Sequence, residues 1–218
     1  DRSKLVIATK VSPVNLNYDD VINAAKGSLK RLDTGYIDLY MVHYPNSRIP
    51  ISETMRAMDH LVEEGLIKNI GVSNFSLYQF KEAQGYTKNK IICNQIPYSL
   101  MNRKFQAEGF IDYARENEIM IVAWRPVEGG MLSRKGIELL DEICRRYDKT
   151  PGQISINWLI SQKNVVTIPG TRNMEHFKEN LGSVGWQLTQ EDIKILDDDF
   201  PQKDFSSIAD GYWREILK

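Results

Sequence analysis

Six short apolar runs alternate with segments of helical periodicity, and their spacing most constrains the fold. The runs start near residues 5, 37, 69, 91, 119 and 165, so successive starts lie 32, 32, 22, 28 and 46 residues apart. Each interval has room for a strand, a helix and a return, which is the connection that joins parallel strands. The sequence therefore predicts an α/β fold made of six successive βα units.

Two parallel architectures share this alternation. A closed eight-unit barrel takes about 250 residues, and the six units visible in these 218 residues suggest that about two units are missing. The alternative is a doubly wound open sheet, but no strand is followed by the G-x-G-x-x-G turn that many dinucleotide-binding sheets use. We therefore expect one (β/α)8 TIM-barrel domain over residues 1–218, incomplete at its N-terminus because the first run begins almost at residue 1 without an initiator Met.

Periodicity and end signals predict the helices. Ser52 is expected to cap the second helix and Gly65 to end it. Thr150 with Gln153 fits a capping box, with Pro151 at the first helical position. The periodic segments cover residues 18–32, 52–64, 77–87, 105–116 and 137–147, with further helices starting after Thr150, Asn173 and Thr189.

Charge and hydropathy exclude several classes of partner. The 28 Lys and Arg residues nearly balance the 29 Asp and Glu residues and are spread along the chain. This pattern argues against a nucleic-acid partner and against a basic membrane-binding face. No apolar run approaches the length of a bilayer span and no signal peptide opens the chain. Two cysteines far apart in the sequence favour reduced thiols, as in a cytoplasmic protein. A small-molecule partner is expected, whereas the sequence does not choose between a monomer and a homo-oligomer.

The cysteines and histidines do not form a recognisable ligand set. Cys93 and Cys144 lie far apart, which favours buried, reduced thiols over a disulfide. His43, His60 and His176 have no metal-ligand spacing, so no metal is expected.

Lys10 and His43 follow the first two strands. In parallel α/β folds the carboxyl ends of the strands are where side chains leave the core and meet ligands. A lysine there is partly desolvated, which disfavours its charge. The alternatives are a core histidine bonded to a main-chain carbonyl and a lysine that extends to solvent at the rim.

Later strands bring further polar and aromatic groups to the same rim. Ser73 and Asn74 follow the third strand and Gln95 lies in the fourth, and such amide and hydroxyl groups suit recognition of a carboxamide. Trp124 ends the fifth strand and can stack on a flat ring. The alternatives are turn chemistry for Ser73 and Asn74 and core packing for Trp124. After the sixth strand, Arg172 and a helix N-terminus capped by Asn173 suit a phosphate.

Together these segments resemble the aldo-keto reductases, (β/α)8 barrels that reduce carbonyls with NADPH. The resemblance extends from Leu5 to about Asp198 and depends on the order of its motifs. These are Ala8-Thr9-Lys10, the run from Asp38 to His43, the run from Gly65 to Phe75, Asn94-Gln95, the run from Ile168 to Arg172, and Glu179-Asn180-Leu181.

The resemblance implies a role for each site residue. Lys10 would lower the pKa of a catalytic tyrosine, His43 would orient or polarise the carbonyl, and Tyr44 would line the substrate pocket. Residues expected to bind NADPH are Ser73, Asn74 and Gln95 at the nicotinamide carboxamide, Trp124 and Arg125 beside the ring, Gly170, Thr171, Arg172 and His176 at the 2′-phosphate, and Glu179 and Asn180 at adenine.

The sequence departs from the family pattern in two ways. His176 stands where many members have a second basic residue, so NADPH preference depends mainly on Arg172 and NADH is also possible. The catalytic tyrosine and aspartate of the family come from two βα units that would precede residue 1, and Tyr40, Tyr44 and Tyr98 stand in no matching motif.

Three functions follow from these observations. The first is NADPH-dependent reduction of an aldehyde or ketone to an alcohol. The second is a truncated or catalytically impaired barrel that binds NADP(H) as a regulatory subunit. The third, an unrelated TIM-barrel hydrolase, lacks a carboxylate pair at the strand ends. Long loops, including residues 200–218, would shape the substrate pocket, and Trp213 would either reach that pocket or pack on the barrel.

Overall fold

The computed structural model describes residues 1–203, and it divides into two compact units, residues 1–95 and residues 96–203. The expectation that Trp213 contributes to the substrate pocket lies outside the described residues. Six strands alternate with helices through the two units, as the spacing of the apolar runs predicts.

The first unit consists of parallel βα repeats. Its elements are a 3-10 turn (Arg2–Lys4), β1 (Ala8–Val11), α1 (Tyr18–Leu32), β2 (Ile37–Val42), α2 (Ile51–Glu63), β3 (Ile67–Ser73), α3 (Leu77–Gly85) and β4 (Ile91–Pro97), whose last two residues belong to the second unit. The strands pair in parallel in the order β1-β2-β3-β4. This order places the carboxyl ends of neighbouring strands side by side.

One lateral row of the sheet crosses all four strands of the first unit. Lys10 pairs with Met41, Met41 with Gly71, and Gly71 with Cys93. Paired residues of adjacent parallel strands project from the same face. A Cβ atom at Gly71 would lie 2.6 Å from Cys93 Sγ and 2.8 Å from Met41 Cγ. Glycine is therefore required at position 71 so that the two sulfur-containing side chains can meet above it.

The helices of the first unit bury the faces that periodicity predicts. Val21 and Ala25 of α1 and Met55 and Met58 of α2 are fully buried, and burial of a side chain as large as Val or Met contributes about 1.5–3 kcal/mol. Gly65 adopts the expected left-handed conformation after α2, with a φ of 68°.

Two predicted boundaries in the first unit are wrong. The strand expected from Leu5 begins at Ala8, and Leu5 and Val6 are 58% and 82% exposed. Ser52 does not cap α2, because the helix already begins at Ile51 with Pro50 at the cap position. A proline fits there since the first amide groups of a helix have no intrahelical partner.

The second unit is mainly helical. Its elements are α4 (Lys104–Ala107), α5 (Phe110–Glu116), β5 (Met120–Trp124), a 3-10 segment (Glu128–Ser133), α6 (Glu138–Tyr147), α7 (Pro151–Ile160), β6 (Val165–Thr167), α8 (Met174–Leu181) and α9 (Gln190–Asp199). The parallel pair β5 and β6 is in register from Ile121 opposite Val165.

Side-chain caps fix the starts of α7 and α8 in the second unit. Thr150 and Gln153 form the predicted reciprocal capping box of α7, and Asn173 caps α8 by accepting a hydrogen bond from the amide of His176 at 2.8 Å. The single helix predicted over residues 105–116 is wrong. Gly109, with a φ of 78°, ends one helix and starts another, because glycine tolerates the left-handed conformation that breaks the hydrogen-bond ladder.

Arg103 fastens the end of α9 to the remainder of the second unit. Its guanidinium is largely buried and donates to the main-chain oxygens of Leu196 and Asp197, the latter at 2.6 Å. It also lies over the ring of Trp158, at 4.8 Å from the centroid. The last carbonyls of α9, which have no intrahelical donor, are thereby satisfied.

Candidate functional site

Lys10 and His43 occupy neighbouring strand ends in the first unit, as predicted. Lys10 lies in the last half of β1, and the amide of His43 continues the β1–β2 ladder by donating to Val11 O at 3.1 Å. Both side chains are half-buried. Burial lowers the pKa of Lys10. Burial also lowers the pKa of His43, and the charge of Lys10 lowers it further. At neutral pH the imidazole is therefore uncharged.

Cys93 is a neighbour of Lys10 that the sequence did not indicate. The lateral row brings the two residues together from β1 and β4, close enough for an electrostatic interaction. Burial raises the pKa of the Cys93 thiol to about 12, so the thiol stays protonated and does not neutralise the lysine. The register across four strands creates this proximity, and no local sequence pattern encodes it.

A hydrogen-bonded cluster joins Ser73, Asn74 and Gln95 at the same rim. The Ser73 hydroxyl donates to Gln95 O at 2.9 Å. The Asn74 side-chain Nδ2 donates to Ser73 Oγ at 2.9 Å and to His43 O at 3.1 Å. Both hydrogens of the Asn74 side-chain amide are used in these bonds. The predicted carboxamide-binding residues and His43 thus form one connected group.

The backbone supports this cluster. Asn74 is left-handed, with a φ of 64°, a conformation that asparagine adopts more readily than most residues. The buried side chain of Asn94, for which the sequence indicated no role, binds the main chain of Phe75, the residue after Asn74. Its Nδ2 donates to Phe75 O at 2.8 Å and its Oδ1 accepts from Phe75 N at 3.4 Å. These bonds hold the turn that follows β3.

Two tyrosines are unsuited to proton transfer at this rim. Tyr40 is fully buried and precedes Met41 on β2, so its side chain projects from the face opposite the row of Lys10. Tyr98, in the second unit, is equally buried, and its hydroxyl lies within hydrogen-bond distance of Gln106 Oε1 at 2.9 Å and of Gln162 Oε1 at 2.8 Å. Burial raises the pKa of both phenols well above the usual value. Tyr44 is half-buried and directly follows His43.

In the second unit, Trp124 and Arg125 end β5. The main-chain oxygen of Trp124 accepts a hydrogen bond from Tyr98 N at 3.3 Å. Arg125 Nε donates to the buried carboxylate of Glu128 at 3.1 Å, and the Ser99 hydroxyl donates to the same carboxylate at 2.8 Å. Sequence reasoning missed Glu128 because a charged residue beside two glycines is typical of an exposed loop.

The residues expected at a 2′-phosphate lie around the start of α8. Gly170, Thr171, Arg172 and His176 are all exposed. The Thr171 hydroxyl donates to Asn173 O at 2.9 Å and so shapes the turn before the helix. The amide groups and the positive end of the helix dipole favour an anion at this position.

Glu179 links α8 to α7. Its carboxylate accepts a hydrogen bond from the Thr150 hydroxyl at 2.7 Å, and its main-chain oxygen accepts one from Gln153 Nε2 at 3.1 Å. Glu179 and Asn180 are both half-buried. The residue expected at adenine therefore also has a structural contact that sequence did not predict, namely with the capping box of α7.

The described residues include neither a metal-binding group nor a membrane-spanning helix. Within residues 1–203, no group of three His, Cys, Asp or Glu side chains is arranged to hold a metal ion. Over that same part of the chain, every helix is too short or too polar to cross a membrane.

Comparison with known proteins gives concordant results. The model of the aldo/keto reductase family matches residues 1–198. Glyoxal reductase of Bacillus subtilis is 31% identical over 196 residues, which cover 90% of this chain and 68% of that protein. Methylglyoxal reductase YeaE of Escherichia coli is 28% identical over 204 residues, covering 92% of this chain and 71% of that protein.

Solved structures agree in fold. The crystal structure of a thermostable aldo-keto reductase, Tm1743, in complex with the inhibitor epalrestat has a TM-score of 0.87 and 38% identity, covering 90% of this chain and 72% of that one. An aldo/keto reductase from Klebsiella pneumoniae in complex with NADP and acetate has a TM-score of 0.80 and 26% identity, with coverage of 93% and 72%. The predicted α/β fold of TIM-barrel type, with six βα units, is confirmed.

Proposed function

This chain belongs to the aldo/keto reductase family, and on that premise we propose that it reduces a small aldehyde or ketone to the alcohol with NADPH. The carbonyl reduction is supported by the family and by relatives that bear the names glyoxal reductase and methylglyoxal reductase. The observation that carries the proposal is the connected group formed by His43, Asn74 and Ser73 beside Lys10.

His43 and Lys10 are assigned to the carbonyl oxygen. An uncharged imidazole can donate a hydrogen bond to that oxygen and polarise it. The lysine ammonium stabilises the negative charge that develops on the oxygen as hydride from NADPH reaches the carbonyl carbon, and the oxygen then takes a proton from solvent to give the alcohol. The stabilisation is stronger in a partly desolvated site. The lowered pKa of His43 favours the uncharged form that this role requires.

Ser73, Asn74 and Gln95 are assigned to the nicotinamide carboxamide. A carboxamide both donates and accepts hydrogen bonds, and the hydroxyl and amide groups of these residues have the complementary capacity. The side chain of Asn74, whose Nδ2 donates to His43 O and to Ser73 Oγ, is assigned to the carboxamide together with Ser73. When bound, the cofactor supplies the hydride that the protein itself lacks.

In the second unit, Trp124 offers a ring for stacking on nicotinamide, and Arg125 is assigned to the cofactor beside it. Gly170, Thr171, Arg172 and His176 are assigned to the 2′-phosphate, and Glu179 and Asn180 to adenine. Arg172 provides a planar set of donors suited to phosphate, which favours NADPH over NADH. Neighbouring structures of the family are described as complexes with NADP and with NADPH.

The test is turnover with NADPH and the two dicarbonyls named by the relatives, methylglyoxal and glyoxal, followed through the absorbance of NADPH. Lys10→Met should reduce the rate by about a hundredfold or more, as removal of a positioned catalytic group does. Lys26→Met, on the exposed side of α1, should leave the rate unchanged. If a folded preparation turned over no aldehyde of a panel, the proposed enzymatic activity would be disproved. NADPH binding without turnover would favour the regulatory alternative.

A further inference from the structure

Glu128 is a buried carboxylate with two partners. Its side chain is inaccessible to solvent, and its two oxygens accept hydrogen bonds from Ser99 Oγ at 2.8 Å and from Arg125 Nε at 3.1 Å. Ser99 is also fully buried. Burial of a carboxylate is costly unless it is paired and hydrogen-bonded. An ordinary surface ion pair does not require this arrangement, so the burial of Glu128 calls for a reason.

The partner of that carboxylate reaches solvent. The side chain of Arg125 is 32% exposed, and its bond to Glu128 engages Nε. The terminal nitrogens Nη1 and Nη2 carry four further N–H donors in a planar fork, a geometry that matches phosphate oxygens. The buried carboxylate of Glu128 thus holds the guanidinium through Nε, while Nη1 and Nη2 can donate to an anion.

The backbone around the pair is held in an unusual conformation. Arg125 and Glu128 both have positive φ values, 56° and 46°, although neither is glycine. Gly129 and Gly130 follow with φ values of 65° and 93°. Residues in sparsely populated backbone conformations persist only where the surroundings over-determine them, and they cluster at ligand-binding sites. The turn between Arg125 and Glu128 is closed by a hydrogen bond from Glu128 N to Arg125 O at 3.0 Å.

We propose that Glu128 and Ser99 are positioning residues that hold the Arg125 guanidinium against the diphosphate of the bound dinucleotide. This inference rests on the proposed function, which places the nicotinamide ring on Trp124. Arg125 is the next residue, and the diphosphate is the anionic group of NADPH nearest to its nicotinamide end. The other phosphate, on the adenosine ribose, is assigned to residues 170–176.

A double-mutant cycle in NADPH affinity tests the coupling of the two residues. Arg125→Ala should weaken NADPH binding by about ten- to a hundredfold, the usual effect of losing hydrogen bonds to a charged group. Glu128→Gln, which keeps the size of the side chain, should weaken binding about fivefold because the guanidinium loses its fixed orientation. In the Arg125→Ala background, Glu128→Gln should have less than about a twofold effect, since residues that act through one another are not additive.

A merely structural role would give a different pattern. Glu128→Gln would then lower the stability of the protein without this dependence on Arg125 in NADPH affinity. Arg115 and Asp112 provide the matched control, because they form an exposed ion pair with the same spacing along the chain. Arg115→Ala and Asp112→Asn should leave NADPH affinity unchanged. Equal or tighter NADPH binding by Glu128→Gln, or additive effects in the cycle, would overturn the proposal.

A second measurement separates this inference from the proposed function. In an NMR spectrum of the wild-type protein, the Arg125 Nε–H resonance should be visible because its hydrogen exchanges slowly, and it should shift when inorganic pyrophosphate is added. In Glu128→Gln the hydrogen should exchange fast, and pyrophosphate should cause no shift. If the wild-type chain fails to bind NADPH but pyrophosphate shifts this resonance, the proposed function fails and the anion site stands. If NADPH binds and pyrophosphate leaves the resonance unmoved, the inference on Arg125 fails alone.

Discussion

The side-chain amide of Asn74 donates to the main-chain oxygen of His43 at 3.1 Å, and so ties the residue after β3 to the residue after β2. Asn74→Ala removes this bond and the bond to Ser73 Oγ. We expect NADPH affinity to fall about tenfold, because the carboxamide loses a partner and the neighbouring rim loses its support. Fluorescence titration with NADPH measures the change.

Asn69 provides the matched control for this prediction. Its side-chain amide donates to Asp38 O at 3.0 Å, which is a bond of the same kind between the same two strands at the end remote from His43. Asn69→Ala should cost about 1 kcal/mol of unfolding free energy and leave NADPH affinity unchanged. A similar loss of affinity in both variants would mean that Asn74 acts only on stability.

His43 should titrate below the ordinary histidine value of 6.5, because burial and the charge of Lys10 both disfavour the imidazolium. Lys10→Met removes the charge but not the burial, so the pKa of His43 should rise toward 6.5 without reaching it. NMR titration of the imidazole measures both values. Lys68 lies near the start of β3, remote from His43, so Lys68→Met should leave the pKa of His43 unchanged. A wild-type pKa above 6.5 would contradict the assignment of an uncharged donor.

The same histidine makes stability depend on pH in a defined direction. Because its pKa is lower in the folded state, the unfolded chain binds more protons below the ordinary value of 6.5. This group therefore removes stability as the pH falls through that value. His43→Gln should reduce the loss of unfolding free energy between about pH 7 and pH 5, measured by urea unfolding.

Asp38 should govern unfolding in stronger acid. Its carboxylate accepts hydrogen bonds from Ile7 N at 3.0 Å, from Arg2 at 2.6 Å and from Lys68 at 3.2 Å. The bond from the Ile7 amide is the largest cause that lowers the pKa of Asp38 to about 2. Since the folded pKa is depressed, the stabilisation is complete above the unfolded value near 3.8 and is lost as the pH falls toward 2.

Asp38→Asn should flatten the pH dependence of stability in this acid range and lower stability at neutral pH. Urea unfolding at a series of pH values measures both effects. The exposed residue Asp112, which pairs with Arg115 on its own helix, supplies the comparison. If Asp112→Asn flattened the acid limb as much as Asp38→Asn, the contacts of Asp38 would not be the cause.

Arg103 should be among the most sensitive positions of the second unit. Arg103→Met keeps much of the aliphatic stem but leaves the main-chain oxygens of Leu196 and Asp197 without this donor. We expect a loss of about 2–3 kcal/mol in unfolding free energy, since buried acceptors lose a charged partner. Arg115→Met, at an exposed arginine, should change stability by less than about 0.5 kcal/mol. Equal effects of the two substitutions would contradict the anchoring role.

The sequence predicted the structure correctly where local patterns decide it. An apolar run that ends at His43 and a capping box at Thr150 are short-range signals, and the structure has the strand end and the cap where these signals place them. The proximity of Lys10 to Cys93 depends instead on the register of four strands, and the burial of Glu128 depends on Ser99, 29 residues away. Such long-range pairings leave no periodicity in the sequence.

The errors in the predicted ends of strands and helices likewise arise because tertiary contacts are not visible in the local sequence. Leu5 and Val6 are apolar and β-favouring, yet both are exposed, because their hydrophobicity is a local property and burial depends on what packs against them. The break at Gly109 was hidden by the helical pattern on either side of it, because periodicity does not register a single left-handed residue.

The row from Lys10 to Cys93 also restricts how this protein can vary. Because the space above Gly71 is already occupied by Met41 and Cys93, any side chain at position 71 has to displace at least one of them. A larger side chain at one of the positions 41, 71 and 93 therefore has to be offset by a smaller side chain at another. Random mutagenesis should therefore recover larger residues at position 71 together with a smaller residue at position 41 or 93.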